Sequence, residues 1–534
     1  MTVAALSPAR PRAAANPWLV AAVVVVPTFM EVLDTTIALV ALRYIAGGLS
    51  ATSDDGEWVI TSYLAANAVI LPITGWLSAH LGRRNYFLAS IAIFTLSSLL
   101  CGLAGSLGQL ILFRVIQGLA GCGLQPSSQG VLLDAFPTEK QGMAMTLFGF
   151  AALIAPIVGP TLGGWITDSY SWRWVFLINV PVGLLALAGS YALLREPDYL
   201  VAQRAELRKQ PFRFDSIGFS LLVIVMVCWE VMLSKGQEWD WLGDPFWRVQ
   251  TLAICCIAGL PGLVFWELRH RNPVVNFRPL RERNFASCCL IIFCAYLALF
   301  AATKSLLGLL QSLFGYDALS TGLVMSPSGI FAVIVMPIVG RLIGLRMDAR
   351  WLIAAGLLIM TAGNYWMSQL NLDISPGQAV WPRVVVVAGL AMCFAPANVA
   401  AYLYTPMALR GAAVGLLSFL RNEGGSVGVS LSQTFEERRD QFHVLRLGEY
   451  LDPFNAAANS FVARGKEFFL QLTGDPSASQ QLAWQELENL RQQQASALSF
   501  FDCFWMVAAL TLAVAFVVLL MKRSVAAKGV HPAS

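Results

Sequence analysis

Long apolar stretches recur along almost the whole chain, and short polar segments separate them. Most of these stretches hold about 20 residues, the length at which an α-helix crosses the hydrocarbon core of a bilayer. They lie near residues 18–42, 57–79, 86–105, 108–133, 142–166, 173–195, 214–235, 248–268, 285–312, 318–340, 350–370, 381–405, 412–435 and 498–521. The pattern predicts an all-α polytopic membrane protein with about 14 spans.

The composition agrees with a membrane protein and narrows the classes of function. Of the 534 residues 57% are hydrophobic and 13% are charged, whereas soluble domains usually carry about 25% charge. The net charge of +4 is small and indicates no nucleic-acid partner. The sequence has no G-x-x-x-x-G-K-[ST] loop, and its histidines and cysteines show no metal-ligand spacing. We therefore expect no enzyme and no cofactor, and an ion gradient must drive any uphill transport.

Lysine and arginine gather on one side of the membrane if the spans simply alternate. By this count about 22 of the 36 Lys and Arg residues lie on that side, and about five lie in the short loops opposite. The opposite loops are acidic and aromatic, as in EWDWLGD at 238–244. Because positive residues accumulate on the cytoplasmic side, both termini are predicted to be cytoplasmic.

A weak internal repeat predicts how the spans are grouped. GWLSAHLGRR (75–84) follows the second span, GRLIGLRMDAR (340–350) follows the tenth, and both are Gly-led, Arg-bearing turns. This offset fits two six-helix halves with two spans inserted between them, and repeated halves are typical of transporters. The predicted parts are a cytoplasmic tail 1–17, an N-terminal half 18–195, the inserted pair with cytoplasmic linkers 196–284, a C-terminal half 285–521 with a partly helical periplasmic loop 436–497, and a cytoplasmic tail 522–534.

Five motifs in order resemble the major facilitator superfamily, in its fourteen-span drug:proton antiporter branch of the EmrB/QacA type. They are LDTTIALVAL (33–42), LILFRVIQGLAGCGLQP (110–126), GFAALIAPIVGPTLGGWI (149–166), WRWVFLINVPVGLL (172–185) and SFLRNEGGSVGVSL (418–431). The resemblance covers residues 18–521 and implies the major facilitator fold, alternating access and proton-driven export. The long outer loop before the last span suits the subgroup that works with a periplasmic adaptor.

Two sets of residues match conformational motifs of that superfamily. They are Gly75, Gly82, Arg83 and Arg84 around the turn after the second span, and Pro156, Gly159, Pro160, Gly163 and Gly164 in the fifth span. Glycines let a neighbouring helix approach closely, and prolines kink a span. The chain departs from the pattern at Ala79, where the family usually has an acid, so a charge relay centred there is not expected.

Charged side chains inside the spans are the candidates for function, since each costs about 3 kcal/mol near the bilayer centre. Glu31 and Asp34 are three residues apart and share one helix face. The resemblance places the first and fourth spans together, which makes Arg114 the natural counter-charge. Two acids beside one arginine can hold one proton between them. We predict that Asp34 pairs with Arg114 and that Glu31 loads and releases the proton; the alternatives are a purely structural ion pair, or Asp34 alone as the proton carrier.

Further polar residues within the spans are weaker candidates. Arg421, Glu423 and Lys304 are predicted as a possible second charged site, with Arg421 and Glu423 on different sides of their helix. A few amides can orient a ligand in an apolar cavity. The candidates are Asn67, Gln117, Gln125, Gln129, Gln311 and Asn398.

The sequence thus predicts a multi-pass bacterial inner-membrane antiporter. It would exchange protons for hydrophobic or amphipathic compounds, with lipid around it, a periplasmic adaptor (a membrane fusion protein) and an outer-membrane channel as further partners. One alternative is a narrow-specificity metabolite exporter of the same fold. Another, from a different class, is a non-transporting membrane receptor or scaffold, which would have no reason to retain the acids of the first span.

Overall fold

The computed structural model of the chain describes residues 16–136, 140–209, 215–270, 273–345, 347–406, 409–451 and 454–524. Within these ranges all regular secondary structure is helical. Most of both predicted tails lie outside the described residues, as do Arg213, Arg271 and Arg346, three of the residues counted on the positive side of the membrane.

The helices follow one another with short connections. In chain order they are α1 (Pro17–Gly48), α2 (Ser53–Gly56), α3 (Trp58–Ile70), α4 (Thr74–Leu81), α5 (Arg83–Leu103), α6 (Leu107–Gly121), α7 (Leu124–Ala135), α8 (Gln141–Ser169), α9 (Trp174–Leu177), α10 (Asn179–Leu193), α11 (Asp198–Lys209), α12 (Ser216–Lys235), α13 (Arg248–Arg269), α14 (Arg283–Gly308), α15 (Ala318–Met325), α16 (Pro327–Gly344), α17 (Ala349–Ser368), α18 (Pro376–Leu403), α19 (Arg410–Gly448), α20 (Ala456–Thr473) and α21 (Pro476–Val517). Short 3-10 turns occupy Leu71–Ile73, Trp241–Gly243, Arg278–Arg281 and Val518–Leu520, and a π-turn occupies Leu309–Leu313.

A helix covers each of the fourteen predicted stretches, but not all of them qualify as spans by length and apolar character. Among the described residues eleven helices do, and α8, which bends by 42° near its prolines, makes a twelfth. The two helices that do not qualify as spans are α17 and α19. α19 carries Arg421, Asn422 and Glu423 in its middle, so its composition is less apolar than that of a lipid-facing helix. Fourteen spans therefore remains a prediction.

Helices from the two ends of the chain pack into one bundle. α1 contacts α7, α8 and α10, while α14 contacts α18, α19 and α21. The two groups meet where α8 lies against α15, α16 and α18, and where α19 lies against α4 and α7. α12 and α13 pack on each other at the side of this bundle, and α12 also contacts α3 and α19. We call the end of the bundle with Pro17 and Ser524 the terminal end, and the opposite end, with Gly48, the loop end.

The predicted periplasmic loop 436–497 is mostly helical among its described residues. α19 continues to Gly448, α20 follows, and α21 begins at Pro476, long before its apolar part. α20 packs along α21. The expected helical character is present, and α19 continues past the predicted end of its span, with Glu436 buried inside it.

Small residues permit the closest helix crossings. A Cβ added to Gly159 would lie 2.1 Å from Thr36 Oγ1, and one added to Gly163 would lie 3.1 Å from Ile37, so α8 rests on α1 at the predicted glycines. A Cβ on Gly75 would lie 2.8 Å from the Gly411 backbone, which brings α4 against the start of α19. Both crossings require the absence of a side chain at these positions.

Candidate functional site

Asp34 lies in a buried cluster of polar groups inside the bundle. Arg114 Nη1 donates to Asp34 Oδ2 at 2.5 Å, and both side chains are fully buried. Asp34 Oδ1 accepts from Gln117 Nε2 at 3.1 Å and from Asn179 Nδ2 at 2.6 Å. The pairing of Asp34 with Arg114 that the sequence predicts is therefore present, and two amides complete the acceptor sites of the carboxylate.

Arg114 is itself held from several sides. Its Nε donates to the Val59 carbonyl at 3.1 Å, and its Nη1 also donates to Gln117 Oε1 at 2.9 Å. The guanidinium lies over the ring of Tyr63, 4.2 Å from the centroid. A buried charge pair is stable only when such additional hydrogen bonds compensate for the lost water. This cluster joins α1, α3, α6 and α10 into one unit.

Glu31, one turn before Asp34, has different surroundings. It is 3% exposed and lines a cavity. Gln125 donates a short hydrogen bond from Nε2 to Glu31 Oε2, and the Tyr63 hydroxyl donates to Oε1 at 3.4 Å. No ion pair of Glu31 is present among the described residues. Its carboxylate therefore has neutral hydrogen-bond partners and access to an internal space.

A hydrogen-bond chain connects Glu31 to the helices that follow the inserted pair. Arg421 of α19 donates from Nη2 to Oε1 of Gln125, whose amide nitrogen donates to Glu31. Gln125 thus bridges an acid on α1 and an arginine on α19. Because α7 and α19 belong to opposite sides of the bundle, movement of these sides against each other would break the contact of Arg421 with Gln125 and act on Glu31 through Gln125.

The cavity that Glu31 lines is open towards the loop end and closed towards the terminal end. It encloses about 1510 Å³, its open mouth included, and reaches from Leu42 and Glu57 down to Gln125 and Arg421. One turn further along α7, Gln129 donates to Asn398 at 2.6 Å across the bundle. The close approach of Gly75 and Gly411 closes the same end. An open and a closed end are what one state of an alternating-access transporter requires.

Two further acids line this cavity. Glu423 of α19 and Glu230 of α12 are 5% and 2% exposed. Trp229 Nε1 donates to Glu423 Oε2 at 2.7 Å. The sequence predicts that Glu423 and Arg421 do not pair with each other, and no ion pair joins them in the structure.

Lys304 is not part of that second site. It forms an ion pair with Glu436, which also accepts a hydrogen bond from Ser305. Neither Lys304 nor Glu436 lines the cavity. The grouping of Lys304 with Arg421 and Glu423 is therefore wrong in this structure, because α19 continues past the predicted end of its span and supplies a closer acid.

The six predicted amides occupy four different places. Asn67 and Gln125 line the cavity. Gln117 belongs to the buried Asp34 cluster, and Gln129 and Asn398 join the two sides of the bundle. None of these three residues lines the cavity. Gln311 is exposed in the π-turn after α14, away from the cavity, because the helix ends before that residue reaches the interior.

The turn between α4 and α5 has acids that the sequence pattern does not reveal. Gly82 is the N-cap residue of α5. Its φ of +89° lies in the region that favours glycine. Arg83 pairs with Asp134 of α7. Glu196 accepts from the backbone N–H of Arg83 at 2.8 Å. Arg84 donates to the Leu194 and Tyr191 carbonyls. The family usually has an acid at the position of Ala79. In this chain, acids from distant segments hold the turn instead.

Two site residues are absent from the sequence prediction, although each leaves a signal. Asn179 is a lone amide in the apolar run FLINVPVG, and it hydrogen-bonds both Asp34 and Ser98. Glu230 is a lone acid in the first inserted span, five residues before Lys235. A charged residue near the end of a span usually lies at the interface with water. The sequence therefore does not show that Glu230 faces the interior of the bundle.

This combination of apolar helices, a cavity open at one end and buried charges is typical of a multi-pass membrane transporter. The chain belongs to the Major Facilitator Superfamily, whose family model matches residues 24–429. It is thus a multi-pass protein of the bacterial inner membrane.

Similar proteins cover nearly the whole chain. The multidrug export protein EmrB of Haemophilus influenzae is 38% identical over 84% of this chain and 86% of its own length. EmrB of Escherichia coli K12 is 36% identical over 91% of each chain. The crystal structure of the human organic anion transporter MFSD10 has a TM-score of 0.57 at 15% identity, and covers 94% of this chain and 99% of that one. At this identity the structural likeness shows the fold alone.

Proposed function

We propose that the protein is a proton-coupled efflux antiporter that exports hydrophobic and amphipathic compounds from the cytoplasm by alternating access. The similarity to proteins named multidrug export proteins supports efflux. The cavity, with aromatic and aliphatic side chains such as Tyr63, Leu64 and Phe300 beside a few polar groups, suits chemically varied apolar ligands.

The observation that carries proton coupling is the contrast between Glu31 and Asp34. Asp34 is fixed by charged and amide donors, whereas Glu31 faces the cavity and depends on Gln125 for its strongest hydrogen bond. A proton carrier needs access to water in turn from each side and a neutral state that the protein tolerates. Glu31 lines the open cavity and has neutral hydrogen-bond partners, which supports assigning the proton to it, with Asp34 and Arg114 as the fixed charges beside it.

The proposed arrangement in the membrane has fourteen spans with both termini in the cytoplasm. The parts are those predicted from the sequence: 18–195 and 285–521 as the two halves, 196–284 as the inserted pair, and 1–17 and 522–534 as the tails. The terminal end of the bundle then faces the cytoplasm, and the cavity opens to the periplasm. The positive residues of the short loops support this orientation.

The helical element at the loop end is proposed to receive a periplasmic adaptor. α20 and the first turns of α21 form a helix pair beyond the apolar bundle and carry exposed apolar side chains such as Phe468, Leu472 and Trp484. An adaptor there would lead the substrate to an outer-membrane channel. Copurification of the adaptor with the wild-type chain, and its loss when residues 456–494 are replaced by a short linker, would test this element independently of transport.

The test of function is transport in liposomes that contain the purified full chain and carry an imposed pH gradient. We expect several chemically unrelated dyes to accumulate against their gradients, to compete with one another, and to stop accumulating when nigericin removes the pH gradient. Accumulation of one compound without competition would favour a narrow exporter. Binding without any pH-driven accumulation would contradict proton-coupled export.

A further inference from the structure

Arg383 of α18 is a buried cation that no acid of the described residues neutralises. It is 1% exposed, and its Nη2 donates to Thr303 Oγ1 of α14 at 2.6 Å. Its Nε and Nη1 have no hydrogen-bond partner in the described part of the chain. The residue after Thr303 is Lys304, a second cation, which already binds the acid Glu436. An arginine keeps its charge in proteins, so burial without a counter-charge is unfavourable.

An arginine with the same spacing to its acceptor occurs earlier in the chain, and there the counter-charge is present. Arg114 follows its acceptor Asp34 by 80 residues, and Arg383 follows its acceptor Thr303 by the same 80 residues. Each arginine lies in the part of its helix that is nearer the loop end. The acceptors lie on α1 and α14, the helices that open the two predicted halves.

The hydrogen bond between Gln129 and Asn398 supports this correspondence. The two amides are 269 residues apart, and the same 269 residues separate Arg114 from Arg383. Each amide therefore follows its arginine at the same interval, and the two meet across the bundle. These equal spacings fit the internal repeat that the sequence predicts, and repeated halves are typical of transporters.

The correspondence identifies what Arg383 lacks. Arg114 donates to a carboxylate, an amide oxygen and a backbone carbonyl, and of its nitrogens Nη2 alone has no partner. The positions that hold this carboxylate and this amide in the first cluster hold Thr303 and Val386 in the second. A hydroxyl carries no charge and a valine offers no acceptor. The second cluster thus has the cation of the first without its anion.

We propose that Arg383 and Thr303 form a binding site for a small monovalent inorganic anion, with chloride as the common example. The anion accepts hydrogen bonds from the unsatisfied N–H groups of Arg383 and supplies the negative charge that a carboxylate supplies to Arg114. Buried polar groups are usually satisfied, so an unsatisfied buried guanidinium indicates a place for a ligand. No bond is made or broken in this step, and the net charge of the cluster falls from positive to zero.

The position of the site favours a small ion over a large amphipathic compound. Neither Arg383 nor Thr303 lines the large cavity. Thr303 is half-buried, and it precedes the end of α14 at Gly308. At about 1.5 Å per residue, the two side chains lie roughly 10 Å below the ends of their helices, on the side of the loop end. The ion is therefore expected to enter from that end and to bind apart from the exported compound.

The test is binding of radioactive chloride to the purified full chain in detergent, with gluconate keeping the ionic strength constant. We expect the wild type to bind chloride, to release it to bromide, and to unfold at a higher temperature in chloride than in gluconate. Arg383→Met, which replaces the buried cation by an apolar side chain, should lose both effects. Thr303→Asp places a carboxylate beside Arg383 and should weaken chloride binding by at least about 30-fold.

The variants separate loss of the site from loss of the fold. Thr303→Asp should unfold in gluconate at no lower temperature than the wild type in chloride, because its own carboxylate replaces the ion. Thr303→Ser keeps the hydroxyl and should keep chloride binding. Arg350→Met is the control for removal of a cation, because Arg350 has its own acid, Asp348, and this variant should bind chloride as the wild type does.

The contradicting outcomes are equally specific. Chloride binding of wild-type strength in Arg383→Met, or equal loss in Arg350→Met, would overturn the proposal. So would a wild type that binds no chloride and unfolds at one temperature in both salts. Displacement of chloride by acetate but not by bromide would overturn the assignment to an inorganic anion. None of these measurements involves transport, so the export function is tested separately.

Discussion

Two acids one helical turn apart, Asp34 and Glu31, show how differently one bundle treats the same chemical group. Asp34 receives hydrogen bonds from Arg114, Gln117 and Asn179 and is sealed from the cavity. Glu31 faces the cavity and receives its strongest hydrogen bond from Gln125, which is shared with Arg421.

The difference lies in what the partners themselves contact. The hydrogen-bond partners of both acids come from helices that precede the inserted pair, but Gln125, the partner of Glu31, also accepts from Arg421 of α19. Movement of the two sides would therefore change the contacts of Gln125, and through them its hydrogen bond to Glu31, while the Asp34 cluster stays intact. A fixed charge cluster stabilises a unit, whereas a carboxyl group with changing partners can take up and release a proton. The predictions below test this contrast, beginning with the largest expected effect.

Replacing Arg114 by Met should have the largest effect, a loss of about 3–5 kcal/mol of stability, because it leaves the Asp34 carboxylate buried without its charge partner. The measurement is the unfolding temperature and the yield of purified protein in detergent. The double variant with Asp34→Asn and Arg114→Met should recover part of the loss. Equal stability of the wild type and Arg114→Met would contradict the structural role of the cluster.

An intermediate effect is expected where the cavity is closed at the terminal end. Gly75→Ala places a methyl group 2.8 Å from the Gly411 backbone, and such overpacking costs about 1–3 kcal/mol. The unfolding temperature should fall and transport should slow. Gly344→Ala is the matched control, because no atom lies within 4 Å of its added Cβ. An equal effect of both substitutions would show that the crossing of α4 and α19 is not tight.

The smallest effect is expected at an acid outside the spans. Burial alone would raise the pKa of Asp348, but hydrogen bonds from the Arg350 side chain and from the backbone N–H groups of Ser524 and Arg350 outweigh it and hold the pKa below the ordinary value of 3.8. A depressed pKa stabilises the fold above about pH 4 and loses this contribution as the pH falls. Asp348→Asn should cost less than about 1 kcal/mol at pH 7.

The pH dependence is the measurement for Asp348. The difference in unfolding temperature between the wild type and Asp348→Asn should shrink from pH 7 to about pH 3, as the wild-type carboxylate becomes protonated. A difference that grows on acidification would contradict the contacts of Asp348 with Arg350 and Ser524.

Much of the fold is predictable from the sequence, because apolar length alone locates the helices. The Asp34–Arg114 pair is predictable with the help of the family resemblance, since each charge stands in an apolar stretch and needs a partner, and the resemblance places the first and fourth spans together. The position of Glu436 is not, because nothing in a hydropathy pattern shows that α19 continues as a helix beyond the bilayer. The sequence pattern therefore does not identify the acid that pairs with Lys304.

Residues at crossings between distant helices are the hardest to predict. That Glu230 and Glu423 line one cavity depends on where α12 attaches to the bundle, and that attachment rests on packing against α3 and α19 rather than on local pattern. Gln311 shows the opposite error. It continues an apolar run, yet the helix changes to a π-turn before reaching it, and its side chain is exposed.

The most direct test of the central claim compares two transport modes of Glu31→Gln in liposomes. The amide retains the shape of the carboxyl group and one of its two acceptor oxygens, but it cannot carry a proton. Exchange of labelled for unlabelled substrate at equal pH should continue near the wild-type rate, while accumulation driven by a pH gradient should be lost. Accumulation at the wild-type rate in Glu31→Gln would contradict the assignment of the proton to Glu31.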